Sequence, residues 1–375
     1  MDEPIRILHA VGSLGAGGIQ SCLMNLYRHV DRLKVQFDFV VHIRTEESFE
    51  SEIQSMGGRV FHIDGDAFEK KTWLPYMRWW KRFFREHPEY RIIHGHLRST
   101  AALYLGMAKR RGVYTVAHSH AVSNGYGMGA RVKDLLQYPV RYIADYCMGC
   151  SYAANEWMFG KKRARSDNCL VLKNGIDVRK FRYDATARAD VRRELGLPEN
   201  SFVIGSVGRL VAQKNQLLLI EAMQTVLQAR PEAKLVIVGD GPLRESLSGE
   251  IAARGLRDAV LLAGARNDVN RLLSAMDVFA LPSRDEGLGI AAIEAQANGL
   301  PTLVSAAVPE EAYATEQIRR VAPDTSAAWA QALTADAVTR AADAAGQVRA
   351  AGYDIAGIAE QLEEFYLGAL SQSFR

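Results

Sequence analysis

Two glutamates frame the stretch EGLGIAAIE, which runs from Glu286 to Glu294 and has glycines after the first acid. Small apolar residues lead into the second acid, a pattern typical of a loop that opens a helix. Two carboxylates in one site can serve as the acid and base of glycoside hydrolysis. The spacing instead favours separate partners, with Glu294 accepting hydrogen bonds from vicinal hydroxyls such as those of a ribose and Glu286 from another polyol, such as a sugar. A loop acid followed by a solvated helix acid is the alternative that this stretch leaves open.

A second stretch, GRLVAQKN, places Arg209 and Lys214 in one loop between an apolar run and a helix. Two cations at a helix start oppose the helix dipole unless an anion offsets them. Arginine offers a planar fork of donors and lysine a point charge, a combination suited to a diphosphate. The loop therefore predicts a phosphate site, and a solvated basic loop is the alternative.

The first apolar run of the chain is followed by GSLGAGGIQ, which contains Gly12, Gly15, Gly17 and Gly18 ahead of a helical stretch. Glycines in such a loop let backbone N–H groups approach a phosphate, and the helix N-terminus adds partial positive charge. The spacing does not match the G-x-G-x-x-G fingerprint of dinucleotide sites. A tight turn without a ligand remains the alternative.

Two H-x-H pairs, His94 with His96 and His118 with His120, each end an apolar run. Alternate residues of a strand share one face, so a metal site is conceivable. No carboxylate or cysteine nearby in the sequence clearly completes one. We favour a polar ligand-binding role for one or two of these histidines, with satisfied core histidines as the alternative.

Two further pairs are isolated. The single C-x-x-C formed by Cys147 and Cys150 lacks the second pair that a zinc site needs. Asp64 and Asp66 are similar to the metal-binding acid pair of some sugar transferases but have no other support. We therefore predict no metal site and no cofactor.

The composition is that of an ordinary globular protein, with 48% hydrophobic and 24% charged residues. A length of 375 residues predicts two domains. The N-terminus begins acidic and lacks the pattern of a signal peptide, and no apolar run approaches the roughly 20 residues of a membrane span. Four cysteines are too few for a disulfide framework, so we expect a cytoplasmic protein.

The charge is unevenly distributed along the chain. Residues 1–182 contain 28 Lys+Arg and 18 Asp+Glu, whereas residues 183–375 contain 18 and 25. The basic first half predicts an anionic partner, either nucleic acid, an acidic lipid surface or a phosphorylated substrate, unless the imbalance has no function. We find no groove-entering helix or stacking sheet, and so predict no nucleic acid. The basic, aromatic stretch 73–87 either lies on an anionic membrane or covers a sheet.

Both halves alternate short apolar runs with longer amphipathic ones. The predicted strands cover 5–11, 35–43, 59–63, 91–96, 113–120, 147–151, 202–208, 234–240, 259–264, 277–282 and 301–305. Such runs predict parallel sheets covered by helices on both faces, and hence an α/β protein with two doubly wound, Rossmann-like domains. We place the domains at 1–182 and 183–353, with a C-terminal helix in 354–375. The cleft between facing domains is the expected site.

The stretches GAGG, AHSH, LKNGIDVRKF, GSVGRLVAQKN, VGDGPLRESL, DVFALPSRDEGLG and EAQANGLPTLVS together resemble the retaining glycosyltransferase family 4. The resemblance covers nearly the whole chain and is strongest to bacterial exopolysaccharide and capsule enzymes. It implies the GT-B fold, with two facing Rossmann-like domains. It also implies a hexosyltransferase that moves sugar, with retention, from a nucleoside diphosphate sugar, expected to be a UDP-sugar, to a glycan or lipid-linked acceptor. A lipid-linked acceptor would also account for the basic first half, through which we expect peripheral contact with the anionic inner face of the plasma membrane.

The resemblance also implies roles for individual residues. Arg209 and Lys214 would bind the donor diphosphate and stabilise it as it leaves. Glu294 would hold the ribose, and Glu286 the hydroxyls of the donor sugar. His118 would line the cleft beside the transferred sugar, so that His118, Glu286, Arg209 and Lys214 form the catalytic group.

Backbone groups would complete the donor site. Those of Leu288, Gly289 and Ile290 would support sugar and phosphate, and Gly17 and Gly18 would face the donor phosphates or the acceptor.

The resemblance also implies where the nucleotide base binds and where the last helix packs. The loop 264–267, which includes Arg266, would flank the base, and the last helix would cross back to the first domain. The chain departs from the family pattern at SAAVPEEA and at Ile290-Ala291-Ala292, which leaves the sugar and acceptor preference open. A sugar-nucleotide epimerase, a phosphorylase of the same architecture and a non-catalytic nucleotide-binding module are the alternatives.

Overall fold

The computed structural model describes residues 3–15, 18–42, 47–63, 73–120, 127–335 and 339–372. The chain divides into two compact units, one comprising Met1–Gly175 with Ile355–Arg375 and the other Ile176–Asp354. The divisions thus fall after residues 175 and 354, compared with the expected 182 and 353. At the first division, a Cβ on Gly175 would lie 2.9 Å from the Cα of Ile355, so the absence of a side chain lets the returning chain pass close by.

The first unit contains a seven-stranded parallel sheet in the order β3-β2-β1-β4-β5-β6-β7. Its strands are β1 Ile5–Val11, β2 Val35–Val41, β3 Val60–His62, β4 Ile92–Gly95, β5 Tyr114–Ser119, β6 Tyr146–Gly149 and β7 Cys169–Val171. The six strands predicted for this half are confirmed, and β7 is an additional edge strand. The strand order reverses between β1 and β4, as in a doubly wound sheet.

The second unit contains a six-stranded parallel sheet in the order β10-β9-β8-β11-β12-β13. Its strands are β8 Phe202–Val207, β9 Ala233–Val238, β10 Val260–Gly264, β11 Val278–Leu281, β12 Thr302–Val304 and β13 Ile318–Arg320. All five predicted strands are confirmed, and β13 is additional. The order reverses between β8 and β11. The predicted α/β class with two Rossmann-like domains is therefore confirmed.

Helices cover both sheets. They are α1 Gly18–His29, α2 Glu50–Ser55, α3 Leu74–Glu86, α4 Ala101–Lys109, α5 Met128–Gln137, α6 Val140–Ile143, α7 Tyr152–Phe159, α8 Lys161–Ala164, α9 Ala185–Glu194, α10 Gln216–Ala229, α11 Arg244–Ala253, α12 Val269–Ala275, α13 Ile290–Ala297, α14 Ser326–Thr334, α15 Ala344–Ala350 and α16 Ile355–Gln372. Within the ranges given above, no helix is both long enough and apolar enough to cross a bilayer.

The last helix, α16, packs on the sheet of the first unit. Its apolar residues Ile358, Leu362 and Tyr366 share a core cluster with residues of α1 and of β1, β2 and β4. The Glu363 carboxylate accepts a hydrogen bond from the backbone N–H of Asp31, which follows α1. The chain thus returns to its first unit to complete one face of that sheet.

Helix α3 decides between the two alternatives for the stretch 73–87. Tyr76, Trp80 and Phe84, with Trp79 and Phe83, are buried in the core on the other face of the first sheet. The aromatic face of this helix therefore covers the sheet, and its basic residues lie on the exposed side.

Candidate functional site

The second unit brings two predicted loops together at the carboxyl edge of its sheet. β8 and β11 are parallel neighbours at the reversal of strand order. Open α/β sheets bind ligands at this position because the loops on either side diverge. The loop after β8 carries Arg209 and Lys214, and the loop after β11 carries Glu286.

An ion pair joins these loops. The Nζ of Lys214 lies 2.6 Å from Oε1 of Glu286, and the Ser283 hydroxyl donates to the same oxygen at 2.7 Å. The Glu286 side chain is only 7% exposed, so this pairing offsets much of the cost of burying its charge. Both bonds end on Oε1, which leaves Oε2 without a partner in the described part of the chain. Sequence reasoning assigned Lys214 and Glu286 separate ligands, and did not identify Ser283.

Arg209 differs from Lys214 in that its guanidinium forms no ion pair among the described residues. Its side chain is exposed, and no carboxylate in the described ranges pairs with it. The backbone beneath it is fixed, since the Arg209 carbonyl accepts a hydrogen bond from Nε2 of Gln216 at 3.1 Å. The next turn is held by Asn215, which adopts φ 54° and donates to the Pro282 carbonyl at 3.2 Å. Arg209 is thus a free cation on an ordered loop.

Two glycines of the VGDGP stretch, Gly239 and Gly241, pack against the backbone of the Arg209 loop. A Cβ on Gly239, which has φ 140°, would lie 2.1 Å from the Gly208 carbonyl oxygen. A Cβ on Gly241 would lie 2.5 Å from the carbonyl oxygen of Leu210. The Leu210 N–H donates to the Asp240 carbonyl at 3.0 Å. The glycine pair after β9 was the sequence signal for this contact.

Helix α13 begins at the same edge. Gly289 is its N-cap residue, with φ 79° and ψ 51°, a left-handed conformation that favours glycine. Leu288 is buried, and Ile290 is the first helical residue. The N–H groups of a first helical turn lack intrahelical acceptors and carry partial positive charge, so this end of α13 can bind an anion.

Glu294 lies on α13 without a hydrogen-bond partner among the residues that the structure describes. Burial raises the pKa of Glu294 to about 7, and the positive charge of Lys180 opposes this rise. A carboxyl group with a pKa of about 7 is only partly ionised at neutral pH. A strongly perturbed, unpaired carboxyl is a candidate ligand group.

All three side-chain nitrogens of Arg266 donate hydrogen bonds to carboxylates. It pairs with Asp268 at 2.8 Å through two nitrogens and with Glu194, the last residue of α9, at 2.6 Å. The hydrogen bonds that Arg266 donates to Asp268, and then to Glu194, raise the pKa of Arg266. Its side chain ties the loop after β10 to α9, and the backbone of that loop, including Gly264 at φ 74°, remains the part available to a base.

The first unit places five histidines on one face of its sheet. His9 of β1 is the register partner of His94 of β4, so they meet where the strand order reverses. Nδ1 of His9 lies 3.0 Å from Nε2 of His96, and Nδ1 of His96 lies 2.8 Å from Nε2 of His120. Nδ1 of His118 lies 3.2 Å from Nε2 of His94. The predicted histidines therefore form one cluster, to which the structure adds His9.

Burial keeps this histidine cluster neutral. It lowers the pKa of His9 to about 3 and that of His120 to about 4, where the charge of Arg98 contributes as well. Burial, with repulsion between the imidazoles, also holds the pKa values of His94 and His118 well below the usual range. The cluster therefore offers hydrogen bonds and no net charge near pH 7.

Two groups of three histidines could hold a metal ion. In each group the candidate nitrogens lie within 4.8 Å of one another, and in the described part of the chain no carboxylate or cysteine joins either group. Three neutral imidazoles are a known zinc ligand set. Here several of those nitrogens are already hydrogen-bonded to each other. The cysteines of the C-x-x-C are buried, and Cys147 is the register partner of Cys169.

The glycine loop after β1 is only partly described. Gly18 is the first residue of α1, and no atom of the described residues lies within 4 Å of the position of an added Cβ. The Leu14 N–H already donates to the Glu47 carboxylate. Gly17 and the acid pair Asp64 and Asp66 lie outside the described residues.

The two doubly wound parallel sheets have the fold of the GT-B class of glycosyltransferases. Over 97% of its length the chain superposes, with a TM-score of 0.78 and 21% identity, on 100% of HepE from Anabaena, crystallised with UDP and glucose. Residues 16–180 match the family model described as Glycosyltransferase Family 4, and residues 187–335 match that described as Glycosyl transferases group 1.

The chain belongs to glycosyltransferase family 4. It is 30% identical to EpsF of Bacillus subtilis, named as a glycosyltransferase, over 82% of this chain and 80% of EpsF. It is 32% identical to the UDP-Gal:alpha-D-GlcNAc-diphosphoundecaprenol alpha-1,3-galactosyltransferase of Escherichia coli, over 58% of each chain. These comparisons confirm the predicted family and its link to exopolysaccharide enzymes. They give no support to an epimerase, a phosphorylase or a non-catalytic module.

Proposed function

We propose that the protein is a retaining hexosyltransferase that uses a UDP-sugar donor and a glycan or lipid-linked acceptor in cell-surface polysaccharide synthesis. One observation carries the proposal. At the edge of the second sheet, Lys214 is paired with the nearly buried Glu286 while Arg209, on the same loop, is free to bind an anion. That arrangement suits a sugar diphosphate, which presents hydroxyls and phosphates together.

The chemistry follows from charge development. As the bond to the anomeric carbon breaks, negative charge collects on the departing diphosphate. Arg209, Lys214 and the N-terminus of α13 form a preorganised positive region that stabilises this charge. Glu286 keeps Oε2 open for a sugar hydroxyl, and Glu294 accepts hydrogen bonds from the ribose. His118 binds the donor sugar, and Leu288, Gly289 and Ile290 contribute backbone groups.

The UDP preference rests on the relatives, since HepE was crystallised with UDP and the Escherichia coli relative is named for UDP-Gal. Base choice depends on backbone groups such as those of the loop that contains Arg266. We also propose that turnover needs no metal, because Arg209 and Lys214 supply the charge that a divalent ion would otherwise provide. Activity in the presence of EDTA, equal to that with added Mg²⁺ or Zn²⁺, tests this part.

A direct test incubates the protein with UDP-glucose or UDP-galactose and a lipid-linked sugar as acceptor, and measures acceptor-dependent UDP release by a coupled assay. Proton NMR of the product then reads the anomeric configuration. An α-linked product from an α-linked donor supports retention, and a β-linked product would overturn it. Release of UDP-sugar epimers without transfer would overturn the transferase proposal.

We further propose that helices α5 and α6 attach the enzyme to an anionic membrane that carries its acceptor. Met128, Val132 and Leu135 follow one face of α5 and are exposed by 82, 51 and 74%. Tyr138 and Tyr142 extend this apolar surface. Exposed cations flank it, namely Arg131, Lys133, Lys161 and Lys162. Apolar side chains among basic ones are typical of helices that lie in a bilayer interface.

Co-sedimentation with vesicles tests the α5 surface. We expect binding to vesicles containing phosphatidylglycerol, weaker binding to pure phosphatidylcholine, and loss of binding in Leu135→Glu. Leu33→Glu is the matched control, because Leu33 is 78% exposed in the same unit but lies outside α5 and α6. Equal binding by both variants would contradict this assignment.

A further inference from the structure

A cavity of about 630 Å³ lies in the first unit beside α6, α7 and α8. Among the described residues its lining contains no carboxylate and four cations, namely Arg141, Lys161, Lys162 and Arg163. It lies at the amino edge of the first sheet, because Ala144 and Ser166, which also line it, come just before β6 and β7. The histidine cluster lies toward the opposite edge, where His96 and His120 follow β4 and β5. An anion in this cavity would therefore lie apart from the site proposed for the sugar.

One of the four cations, Arg163, is held by the fold. Its Nη2 donates to the carbonyls of Ala144 and Asp145, each at 3.0 Å, and its Nε lies 3.5 Å from Sγ of Cys147. Both carbonyls follow α6, so the guanidinium satisfies acceptors that the end of that helix leaves open. Two of its three nitrogens are thus already occupied, and Arg163 forms a fixed positive wall of the cavity.

The two lysines differ from Arg163 in being unengaged. Lys161 and Lys162 are the first two residues of α8, and both are exposed. In the described ranges neither ammonium group forms an ion pair or a hydrogen bond. Their charges are therefore available to an anionic ligand of the cavity.

Arg141 also keeps part of its guanidinium available. Its Nη2 donates to the Met158 carbonyl at 3.3 Å, and the guanidinium stacks 4.1 Å from the centre of the Tyr138 ring. Its Nη1 forms no hydrogen bond with the described residues, and a Cβ on Gly160 would lie 3.1 Å from it. Gly160 has φ 81°, a conformation that favours glycine, and so keeps the space beside this nitrogen open.

The cavity adjoins the exposed apolar surface of α5 and α6. Tyr142, which is 71% exposed, belongs to that surface and also lines the cavity. Tyr138, the stacking partner of Arg141, belongs to the same surface. Phe159 adds a buried aromatic ring to the lining. Apolar side chains next to unpaired cations match the boundary between acyl chains and phosphate in an anionic phospholipid.

We propose that this cavity binds the phosphate of one anionic phospholipid, with phosphatidylglycerol as the expected headgroup, while the enzyme lies on the membrane. Lys161, Lys162 and Nη1 of Arg141 pair with the phosphodiester. The inference rests on the membrane attachment in the proposed function and gives it a partner of defined chemistry. Attraction to a charged surface depends only on the number of cations, whereas a cavity also selects the headgroup.

Titration calorimetry with dihexanoyl phosphatidylglycerol, kept monomeric, tests the cavity without a membrane. We expect saturable binding that weakens roughly 25-fold in Lys161→Gln/Lys162→Gln, since each basic residue near an anionic lipid contributes about fivefold. Arg110→Gln/Arg111→Gln is the matched control and should keep the affinity. These two arginines are adjacent and exposed between α4 and β5, at the same edge of the sheet but outside the cavity. Equal weakening in both variants, or no saturable binding, would overturn the proposal.

Two further ligands identify what the cavity recognises. Dihexanoyl phosphatidylcholine carries the same phosphate beside a choline cation, which the unpaired lysines repel, so it should bind more weakly. Inorganic phosphate lacks the acyl chains that contact the tyrosines, and should also bind more weakly. Equal affinity for phosphatidylcholine would overturn the charge selection. Equal affinity for inorganic phosphate would show a site for a soluble phosphate and overturn the lipid assignment.

Vesicle binding separates this proposal from the proposed function. Both double variants remove two charges, so attraction by charge alone predicts equal losses on phosphatidylglycerol vesicles. The cavity predicts a larger loss in Lys161→Gln/Lys162→Gln, and equal losses would contradict it. Leu135→Glu should lose vesicle binding but keep the monomeric lipid, because Leu135 lies outside the cavity. A protein that binds the lipid but transfers no sugar would count against the proposed function alone.

Discussion

The two sheets place different chemistry at the same topological position. Where strand order reverses in the second sheet, the loops carry charges: Lys214 is paired with Glu286, and Arg209 is open. Where it reverses in the first sheet, His9 and His94 face each other within a neutral cluster. Both positions arise from the same doubly wound topology.

The difference separates two tasks. A diphosphate carries charge that grows as the sugar leaves, and fixed cations stabilise it best when they need not reorganise. Sugar hydroxyls are neutral and are recognised by the placement of donors and acceptors. Buried imidazoles suit this second task because burial keeps them neutral and each retains one donor and one acceptor nitrogen.

The largest loss of activity is expected at the charged site of the second sheet, for the substitution Lys214→Met. The substitution removes a phosphate ligand and leaves the Glu286 carboxylate unpaired, so we expect kcat to fall roughly 100- to 1000-fold. Lys234→Met is the control, because the Lys234 side chain is in the same unit and, among the described residues, donates to the Asp258 carbonyl alone. Steady-state UDP release measures the effect. Similar rates for the two variants would remove Lys214 from the site.

Arg209→Gln should cost roughly 100-fold in kcat without loss of stability, because the guanidinium is exposed and pairs with no carboxylate in the part of the chain that the structure describes. Arg284→Gln changes an exposed arginine on the loop after β11 and serves as the control. The same rate in both variants would show that the open cation is not used. A large fall in the melting temperature of Arg209→Gln would show that its role is structural.

Gly239→Ala tests whether the Arg209 loop needs its support. The added Cβ would meet the Gly208 carbonyl at φ 140°, so we expect a loss of about 1–3 kcal/mol in the free energy of unfolding and a lower kcat. Gly249→Ala, in the middle of α11 with open space around it, should be neutral or stabilising by up to about 1 kcal/mol. Denaturant unfolding compares them. Equal stability would contradict the packing described for the glycine pair.

Glu294 should make both stability and nucleotide affinity depend on pH. Its pKa is raised from 4.5 to about 7 in the folded protein, so the unfolded chain ionises first and this group reduces stability as pH rises from 4.5 to 7. The term is at most about 3 kcal/mol, and Glu294→Gln should remove it. Comparison of the two unfolding curves at pH 5 and pH 8 measures it.

Binding should show the opposite trend, because the ionised carboxylate accepts hydroxyl hydrogen bonds better. Affinity for a nucleoside diphosphate should rise roughly tenfold between pH 6 and pH 8 in the unchanged protein. It should rise less in Glu294→Gln, which also corrects for titration of the phosphate. Identical pH profiles would contradict the ribose role.

Most of the fold could be predicted from local hydrophobic patterns in the sequence. The eleven predicted strands are apolar runs bounded by turn residues, and all are present. β13, Ile318–Arg320, reads as a charged stretch and gives no strand signal, whereas the short apolar run of β7, Cys169–Val171, was missed. Arg209, Lys214 and Glu286 were predicted from loop position, because parallel topology brings loops to one edge. The hydrogen bond between Tyr366 and His94 was not, because it spans 272 positions of the chain, which a single sequence does not reveal.

Thermal unfolding with UDP, GDP or ADP, on the unchanged protein and on Arg209→Gln, tests the central claim that the second unit holds a nucleoside diphosphate. A ligand at 100 times its dissociation constant adds about 2.7 kcal/mol, which raises the melting temperature by a few degrees. We predict such a rise with UDP, smaller rises with GDP and ADP, and a reduced rise in Arg209→Gln. No rise with any diphosphate, or equal rises in both proteins, would contradict the account.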